Sequence, residues 1–231
     1  MKLSIIIPVY NEEKTILRVI NKVKNQKIGR LKKEIIVIDD FSKDHTKKIL
    51  LKLNSKNIKI FFHQKNKGKG AAIRTGLKHT TGDIILIQDA DLEYNPQEYP
   101  KLIKPILQGQ SKVVYGSRIE AIRKKIENMY KLHYLGNVFL TLMTNTLYGS
   151  KITDMETGYK VFKKEVIKGM RLRAKRFDFE PEITAKILKR GYKIKEIPID
   201  FMGRKFKEGK KITWVDGIKA LGYLIRYRFS D

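Results

Sequence analysis

The chain of 231 residues contains no cysteine, one tryptophan, six prolines and four histidines. Without cysteine there are no disulfides and no thiolate metal centres, which suits a reducing compartment. His45, His63, His79 and His133 lie far apart and show no ligand spacing, so zinc is disfavoured. Acids are also scarce, with 24 Asp+Glu against 50 Lys+Arg and a formal charge of +26. Long apolar runs are missing as well. The richest, YLGNVFLTLM at 134–143, falls well short of the roughly 20 residues a membrane-crossing helix needs. The opening MKLSIIIPVYNEE has too short an apolar run for a secretion signal and reads as a first strand.

A hydrophobic content of 42% is enough for a large core and argues against disorder. The positive charge suits nucleic acid, an anionic membrane surface or a phosphorylated substrate. No helix-turn-helix, paired metal-ligand motif or RNA-binding aromatic motif is present, and the lysines are spread along the whole chain. Nucleic acid is therefore not expected as a partner.

Four apolar, β-branched runs, 3–9, 34–39, 58–62 and 83–88, alternate with helical patterns at 11–25, 46–53 and 70–78. In the first of these helices the apolar positions are Ile16, Leu17, Ile20 and Val23. Near-continuous apolar strands alternating with amphipathic helices predict an α/β fold, with a mostly parallel sheet covered on both faces. Asn95 as cap, Pro96 and Glu98 signpost a further helix. The second half predicts a strand at 112–118, then a basic-then-apolar stretch at 119–148. A turn and strand at 154–162, a helix at 181–190 and a strand at 193–199 follow. The last helix is opened by a capping box of Thr213 and Asp216. No repeat or linker divides the chain, so residues 1–231 read as one domain, and nothing in the sequence specifies an oligomeric state.

In open α/β sheets ligands bind beyond the carboxyl ends of the strands. That rule brings Pro8 to Glu12, Asp39 to Ser42, and Asp89, Ala90 and Asp91 to one rim. The acids at Asp89, Asp91 and Glu93 would repel one another unless a cation sits among them. Carboxylates without His or Cys companions suit Mg2+ or Mn2+, although Asp also closes ordinary turns. Asp39 suits a ribose or base contact, and the same stretch can equally form a cap. NKGKGAAIRTG at 66–76 matches neither GxGxxG nor the Walker spacing, and reads as a tight turn with basic contacts to a diphosphate. The loop at 203–211, GRKFKEGKK, is cationic enough to close over phosphates, or simply exposed.

Seven short motifs occur in one order: PVYNE (8–12), IVIDDFSKDHT (36–46), NKGKGAAIRTG (66–76), GDIILIQDADLEYNP (82–96), YGSR (115–118), TGYKVF (157–162) and GRKFKEGKK (203–211). Together they resemble the family-two glycosyltransferases, in the branch of dolichyl-phosphate mannose synthase and polyprenyl-phosphate glucosyltransferase. The resemblance implies a GT-A fold, a Rossmann-like mixed sheet with C-terminal amphipathic helices, divided into a nucleotide-sugar half (1–110) and an acceptor half (111–231). It implies that Pro8, Tyr10, Glu12, Val37 and Asp39 line the nucleoside pocket. Asp89, Ala90 and Asp91 would be the DxD, with Asp89, Asp91 and Glu93 about a Mg2+ or Mn2+ ion. Arg204, Lys210 and Lys211 would clamp the diphosphate, and Ser117, Arg118 and Arg204 would face the acceptor phosphate. Asp89, Asp91 and Arg204 would carry the catalysis.

The implied reaction moves a hexose from GDP-mannose or UDP-glucose to a polyprenyl phosphate, with inversion. A phosphate nucleophile is already anionic and needs no general base. The segment DMETGYKVF looks more like glucosyl-type members, and Lys131 and His133 stand near where mannose synthases carry an Arg. The basic-then-apolar stretch at 119–148 suits a membrane interface, giving a peripheral enzyme on the cytoplasmic face, or else a pair of core helices. Two alternatives stand beside this reading. A transferase acting on a sugar or protein hydroxyl would need a base such as Asp154 or Glu156. A non-catalytic nucleotide or nucleic-acid binding module would use the acids only structurally.

Overall fold

A computed structural model of the chain describes residues 1–53, 55–124, 131–203 and 214–230. The first strand, β1 (Lys2–Val9), is followed by α1 (Ile16–Asn25), β2 (Lys32–Asp39), α2 (Thr46–Leu51), β3 (Ile58–Phe62), α3 (Lys69–Lys78) and β4 (Ile84–Ile87). Asn95 then accepts a bond from Gln97 N and caps a 3-10 turn, Pro96–Glu98, which runs into α4 (Tyr99–Leu107). The second half comprises β5 (Val113–Ser117), α5 (Ile119–Lys124), α6 (Lys131–Tyr148), β6 (Lys160–Lys163), α7 (Lys164–Ile167), α8 (Phe179–Lys189), β7 (Ile194–Pro198) and α9 (Trp214–Phe229).

The strands form one seven-stranded sheet in the order β3-β2-β1-β4-β6-β5-β7. The β1–β2, β2–β3, β1–β4 and β5–β7 pairs are parallel. β6 is antiparallel to both β4 and β5, and is the one strand running against the rest. This is the mostly parallel sheet that the alternating pattern implied, mixed as the family resemblance implied.

The central strands are largely apolar because both faces are covered, β4 wholly so. Ile5 and Ile7 of β1 point to one layer with Ile16, Val19, Ile20 and Val23 of α1 and Leu102, Ile103 and Ile106 of α4. Ile6, on the opposite side of the pleat, packs with Ile73 of α3 and Ile183 and Ile187 of α8. Gly76 makes the approach of α3 possible, since a Cβ there would lie 2.5 Å from Ile6 Cγ2. A smaller cluster joins α6 and α9 through Leu140, Ala220 and Leu224. Tyr148 Oη donates to Leu224 O across the same contact at 2.6 Å.

The expected apolar face of α1 needs one correction. Leu17 is exposed, and Val19 takes its place in the core. At about 100° per residue, Ile16, Val19, Ile20 and Val23 share a stripe that position 17 leaves. The helix also begins at Ile16, later than expected, because residues 11–15 turn away from the strand. The proposed Thr213–Asp216 capping box lies outside the described residues.

Candidate active site

Three loops leave the carboxyl ends of β1, β2 and β4. Each contains a non-glycine residue with left-handed backbone: Asn11 (φ 53°), Phe41 (φ 65°) and Leu92 (φ 66°). Such residues cost on the order of 1–3 kcal/mol each and persist only where their surroundings hold them. Here the loops are laced together. Asn11 N donates to Ser42 Oγ at 2.9 Å, and Lys43 N donates to Asn11 Oδ1 at 2.8 Å. Glu12 N donates to Thr46 Oγ1 at 2.9 Å, while Thr15 Oγ1 donates to Glu12 Oε2 at 2.8 Å and to Ala90 O at 2.7 Å. The rim predicted from the strand ends is thus one connected surface.

The two adjacent aspartates after β2 have different tasks. Asp39 accepts from Ser42 Oγ at 2.5 Å, and burial pushes its carboxyl above the usual range despite that bond. Asp40 turns inward. Its carboxylate accepts from Lys67 N at 2.9 Å and Gly68 N at 2.6 Å, and pairs with His63 Nδ1 at 2.7 Å. It therefore anchors the glycine-rich segment at the start of α3. Pro8 and Val37 lie in neighbouring strands, and the Val37 side chain belongs to the hydrophobic core. Tyr10 and Glu12 stand at the rim, with Tyr10 partly exposed and Glu12 buried.

Beyond β4, the Asp89 carboxylate meets Lys69 Nζ at 2.8 Å, and the same ammonium lies 2.9 Å from Glu180 Oε1. Burial alone would lower the Lys69 pKa, but the charges of Asp89 and Glu180 outweigh it and hold the ammonium well above its ordinary value. This differs from the sequence expectation of basic contacts to a diphosphate from the segment around Lys69, because Lys69, partly buried, is held between two acids of its own chain. Asp91 Oδ1 accepts from Glu93 N at 3.1 Å. The turn is braced from behind. Gln88 Nε2 donates to Asp89 O at 2.9 Å, while Tyr99 and Tyr159 both donate to Gln88 Oε1 at 2.7 Å. Gly158 N donates to Tyr94 Oη at 2.7 Å, which brings the loop before β6 against the same turn.

Among the described residues, no three His, Cys, Asp or Glu side chains gather as a metal cage. The expected triad of Asp89, Asp91 and Glu93 is therefore not assembled here as three converging ligands. The donor chemistry still fits Mg2+ or Mn2+, hard cations that take one or two carboxylates and complete their shell with water and phosphate oxygens. Asp89 and Asp91 are the carboxylates that would hold such an ion, with Asp89 also engaged by Lys69.

On the acceptor side, Ser117 Oγ lies 2.8 Å from Thr153 Oγ1. Arg118 grips Asp154 through Nε–Oδ2 (2.8 Å) and Nη2–Oδ1 (2.7 Å), and its guanidinium lies 5.3 Å from the Phe201 ring centre. Asp154 is fully buried and also accepts from Asn137 Nδ2 at 2.9 Å. Burial would raise its pKa, but Arg118 more than offsets this and lowers it. A carboxylate so engaged is not placed to act as the base that a hydroxyl acceptor needs. Glu156, the other candidate base, is pushed upward by burial and by the charge of Glu180. A groove of about 500 Å³ runs from Ser117 along α6, walled by Ile119, Tyr134, Val138, Leu142 and Ile152. Arg204, Lys210 and Lys211 lie outside the described residues.

Sequence reasoning missed Lys69 as a bridge, Glu180 as its second anchor, and the exposed Phe41 at the rim. Only the run of glycines around Lys69 hinted that its backbone approaches something closely.

Laced loops on the carboxyl rim of a mostly parallel sheet are where open α/β folds bind their ligands. The family described as Glycosyl transferase family 2 matches residues 4–171, and the chain belongs to that family. It is 34% identical over 245 residues to a UDP-N-acetylglucosamine–dolichyl-phosphate N-acetylglucosaminyltransferase of Methanococcus voltae, covering 98% of this chain and 96% of that protein. It is also 34% identical over 218 residues to a dolichol-phosphate mannosyltransferase of Pyrococcus furiosus, covering 91% of this chain and 59% of that protein. The fold matches a glucosyl-3-phosphoglycerate synthase from Mycobacterium tuberculosis, crystallised with Mn2+, UDP and phosphoglyceric acid. That match has a TM-score of 0.75 at 19% identity and covers 100% of this chain and 79% of the other. The chain is a glycosyltransferase of the GT-A type.

Proposed function

We propose that this enzyme transfers a sugar from a nucleoside-diphosphate donor to a polyprenyl phosphate of the dolichyl type, with inversion and with a divalent metal. The carrying observation is the acceptor side. Ser117, next to Arg118, lines a groove whose walls are largely apolar, with Glu120 and Glu196 also on its edge, and α6 beside it exposes Leu135 (60%), Phe139 (49%) and Leu142 (60%). A sugar hydroxyl has no need of such a wall, whereas an isoprenoid chain does. Relatives named for dolichyl phosphate act in the same direction. The range of donor sugars accordingly widens from mannose and glucose to N-acetylglucosamine.

In this reading Asp39 and the neighbouring rim receive the nucleoside, and Asp89 and Asp91 would hold a divalent metal. A bound Mg2+ or Mn2+ supplies charge neutralisation on the departing nucleoside diphosphate. Lys69 fixes the Asp89 carboxylate so that it need not reorganise during the reaction. Ser117 and Arg118 orient the acceptor phosphate, with Asp154 holding the guanidinium plane in place. Arg204, Lys210 and Lys211 complete the diphosphate clamp. The incoming phosphate oxygen attacks the anomeric carbon from the face opposite the leaving group, which inverts that centre without a general base.

No helix among the described residues is long and apolar enough to cross a membrane. The exposed face of α6 instead suits peripheral attachment at the cytoplasmic leaflet, where the positive charge meets anionic headgroups. The decisive test is transfer of radiolabelled sugar from UDP-glucose, UDP-N-acetylglucosamine and GDP-mannose to short polyprenyl phosphate, with free sugars as competing acceptors. Metal-dependent transfer to the phosphate is expected, and it should be lost in Asp91→Ala. Transfer only to hydroxyl acceptors would reject the reading. Flotation with anionic liposomes checks attachment, and Leu135→Ser with Leu142→Ser should weaken it.

A further inference from the structure

We propose that Glu156 and Glu180 form the sugar-reading part of the donor site and accept hydrogen bonds from hydroxyl or acetamido N–H groups of the transferred sugar. This rests on the nucleotide-sugar reading above and extends it to a specific pair of residues. Glu180 lies in the first turn of α8 and is only 5% exposed. Its Oε1 meets Lys69, yet its Oε2 is buried and finds no hydrogen-bond partner among the described residues. Glu156 Oε1 is in the same condition. A buried acceptor left without a donor costs about 1–3 kcal/mol, and more when charged. Two such oxygens at one place in a folded chain point to donors that a ligand brings.

The place is the donor site. Lys69 joins Glu180 to Asp89 in a single ionic bridge. Glu156 stands two residues before Gly158, where a Cβ would lie 2.3 Å from Asp89 Oδ2. Glu156 and Glu180 also sense each other, since the charge of Glu180 raises the Glu156 carboxyl after burial does.

The nearby cations are occupied. Lys160 Nζ donates to Met155 O at 3.0 Å and Thr157 O at 2.5 Å, and Lys69 is shared between Asp89 and Glu180. The two unpartnered carboxyl oxygens can each accept a hydrogen bond, which a polyol O–H or an amide N–H offers. Glu156 and Glu180 therefore distinguish the sugar from the rest of the donor.

The test uses the full chain with Mn2+ and compares Glu156→Gln and Glu180→Gln with wild type by calorimetric titration. Ligands are UDP and GDP, then UDP-glucose, UDP-N-acetylglucosamine and GDP-mannose. Each variant should keep its nucleoside diphosphate affinity and lose about 10- to 100-fold for the preferred nucleotide sugar. A deoxy-sugar donor lacking the recognised hydroxyl should bind wild type as weakly as it binds the variant. Variants that bind nucleotide sugars like wild type overturn the proposal. Equal loss for diphosphate and sugar also overturns it, because a mere brace for Asp89 would behave that way. Glu156→Gln guards against misfolding, since it breaks no ion pair described here. Wild-type protein that binds no nucleotide sugar rejects the donor reading itself. Sugar-selective loss without transfer to polyprenyl phosphate supports the pair and rejects only the acceptor assignment.

Discussion

Arg118 and Asp154 face each other through two parallel bonds, 2.8 and 2.7 Å long, with the carboxylate fully buried. The Arg118 backbone N–H donates to the same carboxylate at 2.9 Å. Removing one member of such a pair strands the other charge, at a cost of about 3–5 kcal/mol. Asp154→Asn should therefore lower stability by that amount in urea denaturation. Arg118→Lys should lose the fork geometry and raise the KM for the acceptor more than that for the donor. Equal stability of wild type and Asp154→Asn would show that the pair is not a buried anchor.

Gly158 offers a sharper probe of Asp89. An alanine methyl would lie 2.3 Å from Asp89 Oδ2 and 3.0 Å from Tyr94 Cε2. The carboxylate would have to move while Lys69 holds its other oxygen. Gly158→Ala is expected to fold with a loss of about 1–3 kcal/mol. Its turnover should fall on the order of 100-fold, since misplacement of about 1 Å suffices for that. Near-normal turnover would mean that the position of Asp89 is not critical.

The neighbours Asp39 and Asp40 should separate function from stability. Asp40→Asn sets an amide against the N–H groups of Lys67 and Gly68 and should cost about 1–3 kcal/mol. Amide exchange at Lys67 and Gly68 should accelerate with it. Asp39→Asn leaves those bonds intact and should chiefly weaken nucleotide binding, read by titration with UDP or GDP. Identical effects of the two variants on both measurements would erase the distinction.

Glu34 sets an expected pH dependence. Burial would raise its carboxyl, but Lys2, Ser4 and Thr81 outweigh burial and hold it at about 2 instead of the ordinary 4.5. Lys2 Nζ lies 2.8 Å away and Ser4 Oγ donates at 2.5 Å. A depressed folded pKa stabilises above the unfolded value and loses that effect as pH falls toward the folded one. Glu34→Gln should thus cost on the order of 3 kcal/mol at neutral pH. The gap between wild type and variant should narrow as pH drops below about 4.5. A gap that stays constant between pH ~7 and ~3 would remove Glu34 as the titrating group.

The first half of the fold was legible because buried parallel strands write themselves as continuous apolar runs, as in the IILI of β4. Ile58–Phe62 was read to the residue. The rim was legible for a related reason, since acids following such runs mark where strands leave the core. What sequence concealed depends on three-dimensional closure. Asp39 and Asp40 look alike as letters, yet the pleat turns one to the rim and the other inward. Lys69 looks like one basic residue among many, and only folding brings Asp89 and Glu180 to it. Leu17 was misjudged because exposed and buried leucines are spelled the same way.

The reversed strand β6 has a consequence for how this protein can be altered. Its parallel neighbours deliver their trailing loops to the rim, but β6 delivers the loop that precedes it, because Lys160–Lys163 begins where β4 finishes. Residues 154–159 therefore enter from a separate part of the chain than the loops following β1, β2 and β4. Length changes between α6 and β6 can reshape that edge without shifting the register of the strands beside it. Because Gly158 and Tyr159 touch Asp89, Tyr94 and Gln88, changes among those six positions would reshape one wall of the site and be felt in the loop after β4 as well.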